Sequence, residues 1–325
     1  MFTLFLSGQW LDVYLPGVEK AGGFTITSTP REARLAHPPP SDTEGAGEAQ
    51  AQNEQKNETV KAKATGPYLE LAVQKSPDNP PAAWLWQDAV DPSSVDDRGP
   101  GPSGNHKSIP SPIIGREIRV RVGGGFVWPP PGINVRSLRR VVFVAGGVGV
   151  NPLVSMLCSL ASSPGTGDLQ VRFLYSVKDP RVSDVGGANG EGEKRNARNV
   201  LFLERIARVF REGRVKGQLE VFLTGGDGNT TDVEGSKGGD GDGEDEIVFN
   251  KEVGEEKDGF TIPFHPRRCT VEDDVATAVG NPRFAVVYVC GVPTMTDEFV
   301  AKLTAGENEG GLGMEPHRVL CEKWW

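Results

Sequence analysis

Residues 140–157 constrain this chain more than any other stretch. Val141, Val142, Phe143 and Val144 form an apolar, largely β-branched run that reads as a buried strand. Glycines at Gly146, Gly147 and Gly149 then make a tight turn. Asn151 stands where a helix N-cap belongs and Pro152 where the first helical residue belongs. Beyond them Leu153, Val154, Met156, Leu157 and Leu160 recur at helical spacing. A strand, a glycine turn and a helix N-terminus in that order form an anion-binding device. Glycine lets a pyrophosphate approach the backbone, and the first free amides of the helix point at it. The same turn also joins strand to helix in ordinary α/β domains, and a bare G-x-G-x-x-G does not separate the two readings.

The chain has 325 residues, enough for two domains with separate cores. Its net charge of −9 is concentrated: residues 227–258 hold twelve Asp and Glu against three Lys. The remainder is close to neutral and offers no basic face for nucleic acid. No apolar run reaches the roughly 20 residues needed to span a bilayer. The four cysteines (Cys158, Cys269, Cys290, Cys321) form no C-x-x-C, iron–sulfur or zinc spacing, and the four histidines form no H-E-x-x-H. A protein-ligated metal is not expected. Scattered thiols of this kind fit a reducing compartment.

Two patterns divide the chain. Before residue 132, strand-like segments at 1–6, 8–16, 23–28, 68–75, 117–122 and 125–128 are joined by polar or Pro/Gly-rich loops. This is the pattern of a small antiparallel β-barrel. A barrel whose first strand stood at Met1 would leave an open edge, so a further strand upstream is expected. Residues 38–66 and 91–112 read as disordered insertions. A short helix is expected to begin near Pro80. From residue 138 strands and helices alternate: strand 140–145, helix 151–162, strand 169–175, helix 199–212, strand 217–223, strand 284–290, helix 295–304 and a last strand near 317–322. That alternation predicts an α/β domain, residues 138–325, with a parallel sheet covered by helices on both faces. Residues 181–198 and 225–259 read as solvated loops. The acidic run at 240–246 lacks the spacing of a calcium site.

A second motif, C-G-V-P-T-M-T at residues 290–296, ends a strand and opens a helix. Thr294 or Thr296 is its expected cap, with Asp297 and Glu298 in the first turn. Such a cysteine is otherwise a small buried hydrophobe. The turn G-G-V-G-V-N-P together with this motif resembles the ferredoxin–NADP reductase family, whose corresponding sequence is C-G-P-P-x-M; the match fails only at Val292. Further features carry the resemblance. The family's flavin signature R-x-Y-[ST] is G-G-F-T at residues 22–25, with Phe24 and Thr25 kept and Gly22 in place of the arginine. Its G-x-x-S phosphate contact is Asn79, Pro80, Pro81, Ala82, without the hydroxyl. The tail E-K-W-W, from Glu322 to Trp325, matches an acidic residue followed by flavin-covering aromatics. With G-Q-W-L-D-V at residues 8–13, the whole is most similar to the oxidoreductase NAD-binding domain-containing branch of that superfamily.

The resemblance implies a two-domain reductase in which an FAD-binding antiparallel β-barrel (residues 1–132) precedes an NAD(P)-binding α/β domain. NAD(P)H would place its pyrophosphate on Gly146, Gly147, Val148, Gly149, Val150, Asn151 and Pro152. Gly291, Pro293 and Met295 would lie beside the nicotinamide, and Trp325 over the flavin. Cys290, Thr25 and Glu322 are the candidate catalytic residues, Thr25 near flavin N5 and Glu322 handling a proton. Phe24 and Thr25 would bind FAD, with Arg31 or Arg34 standing in for the missing arginine. At the end of the second α/β strand, Ser176 and Lys178 suit the 2′-phosphate of NADPH, whereas Asp179 suits the ribose of NAD. The expected activity is hydride transfer from NAD(P)H to FAD and on to a separate electron acceptor. The alternative is a nucleotide-binding module with a degenerate flavin site, acting in sensing or assembly. The resemblance also implies a mitochondrial location.

Overall fold

A computed structural model describes residues 5–34, 67–87, 113, 115–163, 168–180, 197–225, 246–248 and 261–324. The expected insertions at 38–66 and 91–112, most of both solvated loops, and Trp325 lie outside the described residues.

The N-terminal unit is an antiparallel sheet of β1 (Trp10–Tyr14), β2 (Gly22–Thr25) and β3 (Arg119–Gly123), in the order β2-β1-β3. Single bridges from Ser7 to Trp128 and from Ile26 to Leu71 extend it. Leu11, Val13, Phe24 and Ile26 face inward and pack on Ala82 and Trp84 of α1 (Pro80–Leu85). The segment 68–75, expected as a strand, holds its place by other bonds. Thr27 N–H donates to Glu70 O at 2.9 Å, and Glu70 N–H donates to Ser28 Oγ at 3.0 Å.

The second unit is a seven-stranded sheet in the order β10-β9-β4-β5-β6-β8-β7. Its strands are β4 (Arg140–Gly146), β5 (Gln170–Lys178), β6 (Lys216–Thr224), β7 (Glu246–Val248), β8 (Thr261–His265), β9 (Ala285–Gly291) and β10 (Val319–Lys323). All pairs are parallel except β7 with β8. The fold class is therefore an antiparallel β unit followed by an α/β parallel-sheet unit. Alternation along β4 sends Val141, Phe143 and Ala145 to one face and Val142 and Val144 to the other. The first face receives α2 (Val150–Ala161) and α3 (Leu203–Arg211). The second receives α4 (Ala276–Val279), the π-helical turn before it, and α5 (Pro293–Thr304).

Three expectations change. Residues 225–259 are not wholly a solvated loop, because β7 adds an edge strand there whose Ile247 is fully buried. Helix α2 starts at Val150, so Asn151 and Pro152 sit inside its first turn, with Gly149 as cap. Proline is tolerated there because first-turn amides have no carbonyl one turn back. Likewise α5 begins at Pro293 with Val292 as cap, so neither Thr294 nor Thr296 caps it.

The two units meet along α2, α3 and β9. Ser155 Oγ donates to Ser28 O at 2.7 Å and Tyr288 Oη to Val127 O at 2.8 Å, both buried. Arg205 of α3 grips Glu70 with both terminal nitrogens, at 2.6 and 2.7 Å. Phe126 meets the Tyr288 ring edge-on at 5.3 Å.

Candidate functional site

The carboxyl ends of the parallel strands form one edge, and the sheet order sets where that edge opens. From β4 the chain crosses to β5 on one side, while β9 and β10 lie on the other. The crevice between the ends of β4 and β9 is thus the topological switch point, where open α/β sheets bind ligands.

Register brings the predicted residues to this edge. Ala145 pairs with Cys290, Gly146 with Ser176, and Cys290 with Glu322. Lys178 lies two residues further along β5, exposed, while Ser176 is half-buried. The glycines serve different ends. A Cβ on Gly149 would come within 2.1 Å of Cys290 O, so this glycine lets α2 press onto β9. A Cβ on Gly146 would meet Met295 Sδ at 2.7 Å, and Gly291 packs on Gly146 Cα. Gly147 differs: its φ is +53°, and a Cβ there would meet nothing within 4 Å. It is the place where a ligand can approach the backbone.

Helix α2 has twelve residues and no side chain capping its N-terminus. Asn151 Oδ1, in its first turn, is buried without a hydrogen-bond partner. Thr296 Oγ1, Glu322 Oε2 and Trp324 Nε1 are likewise buried and unpartnered. Buried polar atoms without partners are rare and each needs a reason; here four lie in segments that meet at one sheet edge. Val148 and Val292 stand exposed beside it, and Pro152 is buried under the turn with Val150.

Cys290 and Tyr288 belong to the face that packs α2 and the antiparallel unit. Glu322, opposite Cys290 on β10, follows the alternation of Leu320 and Trp324, both packed against the same face. Trp324 is anchored by its own N–H, which donates to Gly291 O at 3.0 Å. Burial pushes the Cys290 thiol well above its ordinary value, with the Glu322 carboxylate adding to the effect. Burial also raises Glu322 from 4.5 to about 7. The Trp324 indole opposes both shifts. The result is a carboxyl that gives or takes a proton near neutrality, beside a thiol that stays protonated. Trp324 packs against this cluster, whereas the expected Trp325 lies outside the described residues. A period of two from Glu322 selects residue 324 for this face.

In the other unit Thr25 is buried on β2, three residues before the Ser28 carbonyl that α2 binds. Phe24, an expected FAD-binding residue, is 8% exposed and packs in the core beside Leu11 and Ala82. Arg31 and Arg34 are exposed on a turn held by Glu32, whose Oε2 accepts from Thr29 N and Oγ1 at 2.7 and 2.9 Å. Asp179 is 4% exposed. Among the described residues there is no cluster of three or more metal-ligating side chains, and no helix is long and apolar enough to cross a membrane.

No protein-family model matches the chain. Among solved structures, a cytochrome P450 reductase from Amycolatopsis, GcoB, aligns with 98% of the chain and 61% of its own length, at 16% identity and a TM-score of 0.47. The chain is 30% identical over 323 residues to oxidoreductase NAD-binding domain-containing protein 1 of Pongo abelii, covering 99% of the chain and 71% of that protein. The Bos taurus protein of the same name is 26% identical over 330 residues, with 99% and 72% covered. A match at 30% identity over 99% of the chain and 71% of the relative, joined to a glycine turn and a C-G motif meeting at one sheet edge, places the chain in the oxidoreductase NAD-binding domain-containing protein 1 family.

Proposed function

We propose that this chain is an NAD(P)H oxidoreductase that passes a hydride from the nicotinamide to a flavin, from which a separate acceptor takes the electrons. The observation that carries the reading is the α2 N-terminus, uncapped by any side chain and opened by Gly147 at the switch point of the sheet. The amides of residues 147–149 and the unpartnered Asn151 Oδ1 suit a pyrophosphate and its ribose hydroxyls respectively. Ser176 and Lys178 then meet the adenosine ribose. Burial of Asp179 removes the acid that would read an NAD ribose and favours NADPH. The nicotinamide end reaches Cys290, Gly291, Pro293 and Met295. Cys290 excludes water there without ionising, Glu322 holds a proton, and Trp324 closes the cleft.

A flavin, when bound, supplies the ability to take a hydride and return electrons to other partners. The residues that would hold the pyrophosphate of FAD do not suit it: Gly22 carries no cation and Ala82 no hydroxyl. That mismatch favours, as a second reading, a nucleotide-binding module without flavin chemistry.

Purified protein titrated with NADPH and NADH, followed by nicotinamide fluorescence, tests the first half. Gly147→Ala should weaken NADPH at least about tenfold, roughly 1.4 kcal/mol. Anaerobic mixing with NADPH and a flavin tests the second half through loss of visible flavin absorbance. Absence of nucleotide binding sinks both readings; tight nucleotide binding with no flavin reduced leaves the second.

A further inference from the structure

We propose that the flavin this chain reduces is a dissociable substrate and not a held cofactor, because the two positions that hold a flavin pyrophosphate in the resembling family are filled here by the chain's own atoms. The inference rests on the flavin-reducing reading and specifies how its second substrate is held.

The first position is residue 22, where the resembling family carries its phosphate-binding arginine. A Cβ on Gly22 would lie 2.5 Å from Phe24 Cε2 and 2.6 Å from Pro81 Cβ. Residues 22 and 24 point to the same face of β2, opposite Val13 and Leu11 on β1. The Phe24 ring takes the space a side chain at position 22 would need, and packs there with Ala82 and Trp84. The site is therefore not an arginine site awaiting its arginine. Core packing has closed it.

The second position is the start of α1. Each of its first four positions lacks a free donor. Pro80 and Pro81 have no N–H. Ala82 N–H donates to Asn79 Oδ1 at 3.3 Å, and Ala83 N–H donates to Asn79 O at 2.8 Å. With six residues and its amides spent on Asn79, α1 has nothing to offer an anion. The α2 N-terminus, by contrast, has no side-chain cap. Of these two helix starts, only that of α2 is left open to a phosphate, and the nicotinamide nucleotide takes it.

In the reaction, the C4–H bond of NAD(P)H breaks and its hydrogen leaves with the bonding pair, giving NAD(P)⁺. The flavin accepts that hydride at N5 and one proton at N1, giving the dihydroflavin. That proton comes from solvent, and Glu322, which pairs with Cys290 across β10 and β9, is a carboxyl at this edge of the sheet. Both products then dissociate.

The test uses the full chain. After gel filtration its flavin content is measured. KM values for riboflavin, FMN and FAD are then determined anaerobically with saturating NADPH. Protein free of flavin, with all three flavins reduced at KM values within tenfold of one another, is the expected result. A held pyrophosphate, with its charge-assisted hydrogen bonds, would separate FAD from riboflavin by at least about tenfold. Stoichiometric FAD after gel filtration, or a KM for FAD more than tenfold below that for riboflavin, overturns the inference but leaves the flavin-reducing reading standing. NADPH binding with none of the three flavins reduced overturns both.

Discussion

Glu322 is the group whose replacement tests the site most directly. Burial between β9 and the antiparallel unit raises its carboxyl from 4.5 to about 7, and Oε2 has no partner to offset the cost. An unfolded chain ionises this group near 4.5, whereas the folded chain holds its proton to about 7. Its contribution to stability is fully present below pH 4.5 and is lost as pH rises through 7. Each tenfold step is worth 1.36 kcal/mol, so the loss comes to about 3 kcal/mol, or about 2–3 after allowing for partial exposure.

Glu322→Gln keeps the volume and removes the titration. Urea denaturation of parent and variant at pH 4, 5, 6, 7 and 8 isolates the effect. Every other titrating group, including the neighbouring Lys323–Asp297 pair and Cys321, is common to both chains. The stability of the variant relative to the parent should rise by about 2–3 kcal/mol between pH 4 and pH 8, mostly between 5 and 7. A difference that stays flat within about 0.5 kcal/mol would show that Glu322 is solvated in the folded protein, and would remove it as a proton-holding group.

The two turn glycines should separate. Gly149→Ala forces α2 away from Cys290 O and should cost several kcal/mol of stability, on the order of severe overpacking. Gly147→Ala costs about 1–2 kcal/mol for its left-handed backbone but should act mainly on nucleotide affinity; equal thermal shifts for the two would refute the distinction. At the junction of the units, a double-mutant cycle of Arg205→Met and Glu70→Gln should give a coupling of about 1–2 kcal/mol, falling with salt. Arg205 holds the Glu70 carboxyl below its ordinary value, so this contribution is present above pH 4.5 and lost in acid. Coupling indistinguishable from zero at pH 7 would mean that the two units are held by packing alone.

The parts of the fold that could be read ahead were those written in local periodicity. The run from Val141 to Leu160 names its strand, turn and helix within twenty residues because every contact that shapes it is close in sequence or on one face. The edge strand β7 and its neighbour β8 were not legible, since β7 is three residues long and emerges from a stretch dominated by charge. The segment around Glu70 carried a strand pattern, yet tertiary bonds to Thr27, Ser28 and Arg205 replace a ladder. Of the site, Cys290 and the glycines could be named from motifs. The environment of Glu322 could not, because it depends on parallel register with a strand more than thirty residues away and on burial beneath Trp324. Phe24 illustrates the converse: its motif position was recognisable, but its direction is decided by the absence of a side chain at residue 22.

The two helix starts show how short sequence differences divide function between the units. Both begin with an asparagine and a proline close together, and composition alone would rank them as equal anion sites. At α1 the asparagine precedes the helix, accepts its free amide and is followed by two prolines, so the positive end of the helix is spent internally. At α2 the asparagine falls inside the first turn, Oδ1 is left without a partner, and the glycines before it carry no capping atoms. Shifting one asparagine relative to one helix start therefore moves an anion site from available to used. In this chain that shift leaves the nicotinamide nucleotide as the one ligand whose phosphates find free amides at these two helix starts. By the same logic Asn79→Gly, which frees Ala82 N–H, is the smallest change that would begin to give the first unit a phosphate contact of its own.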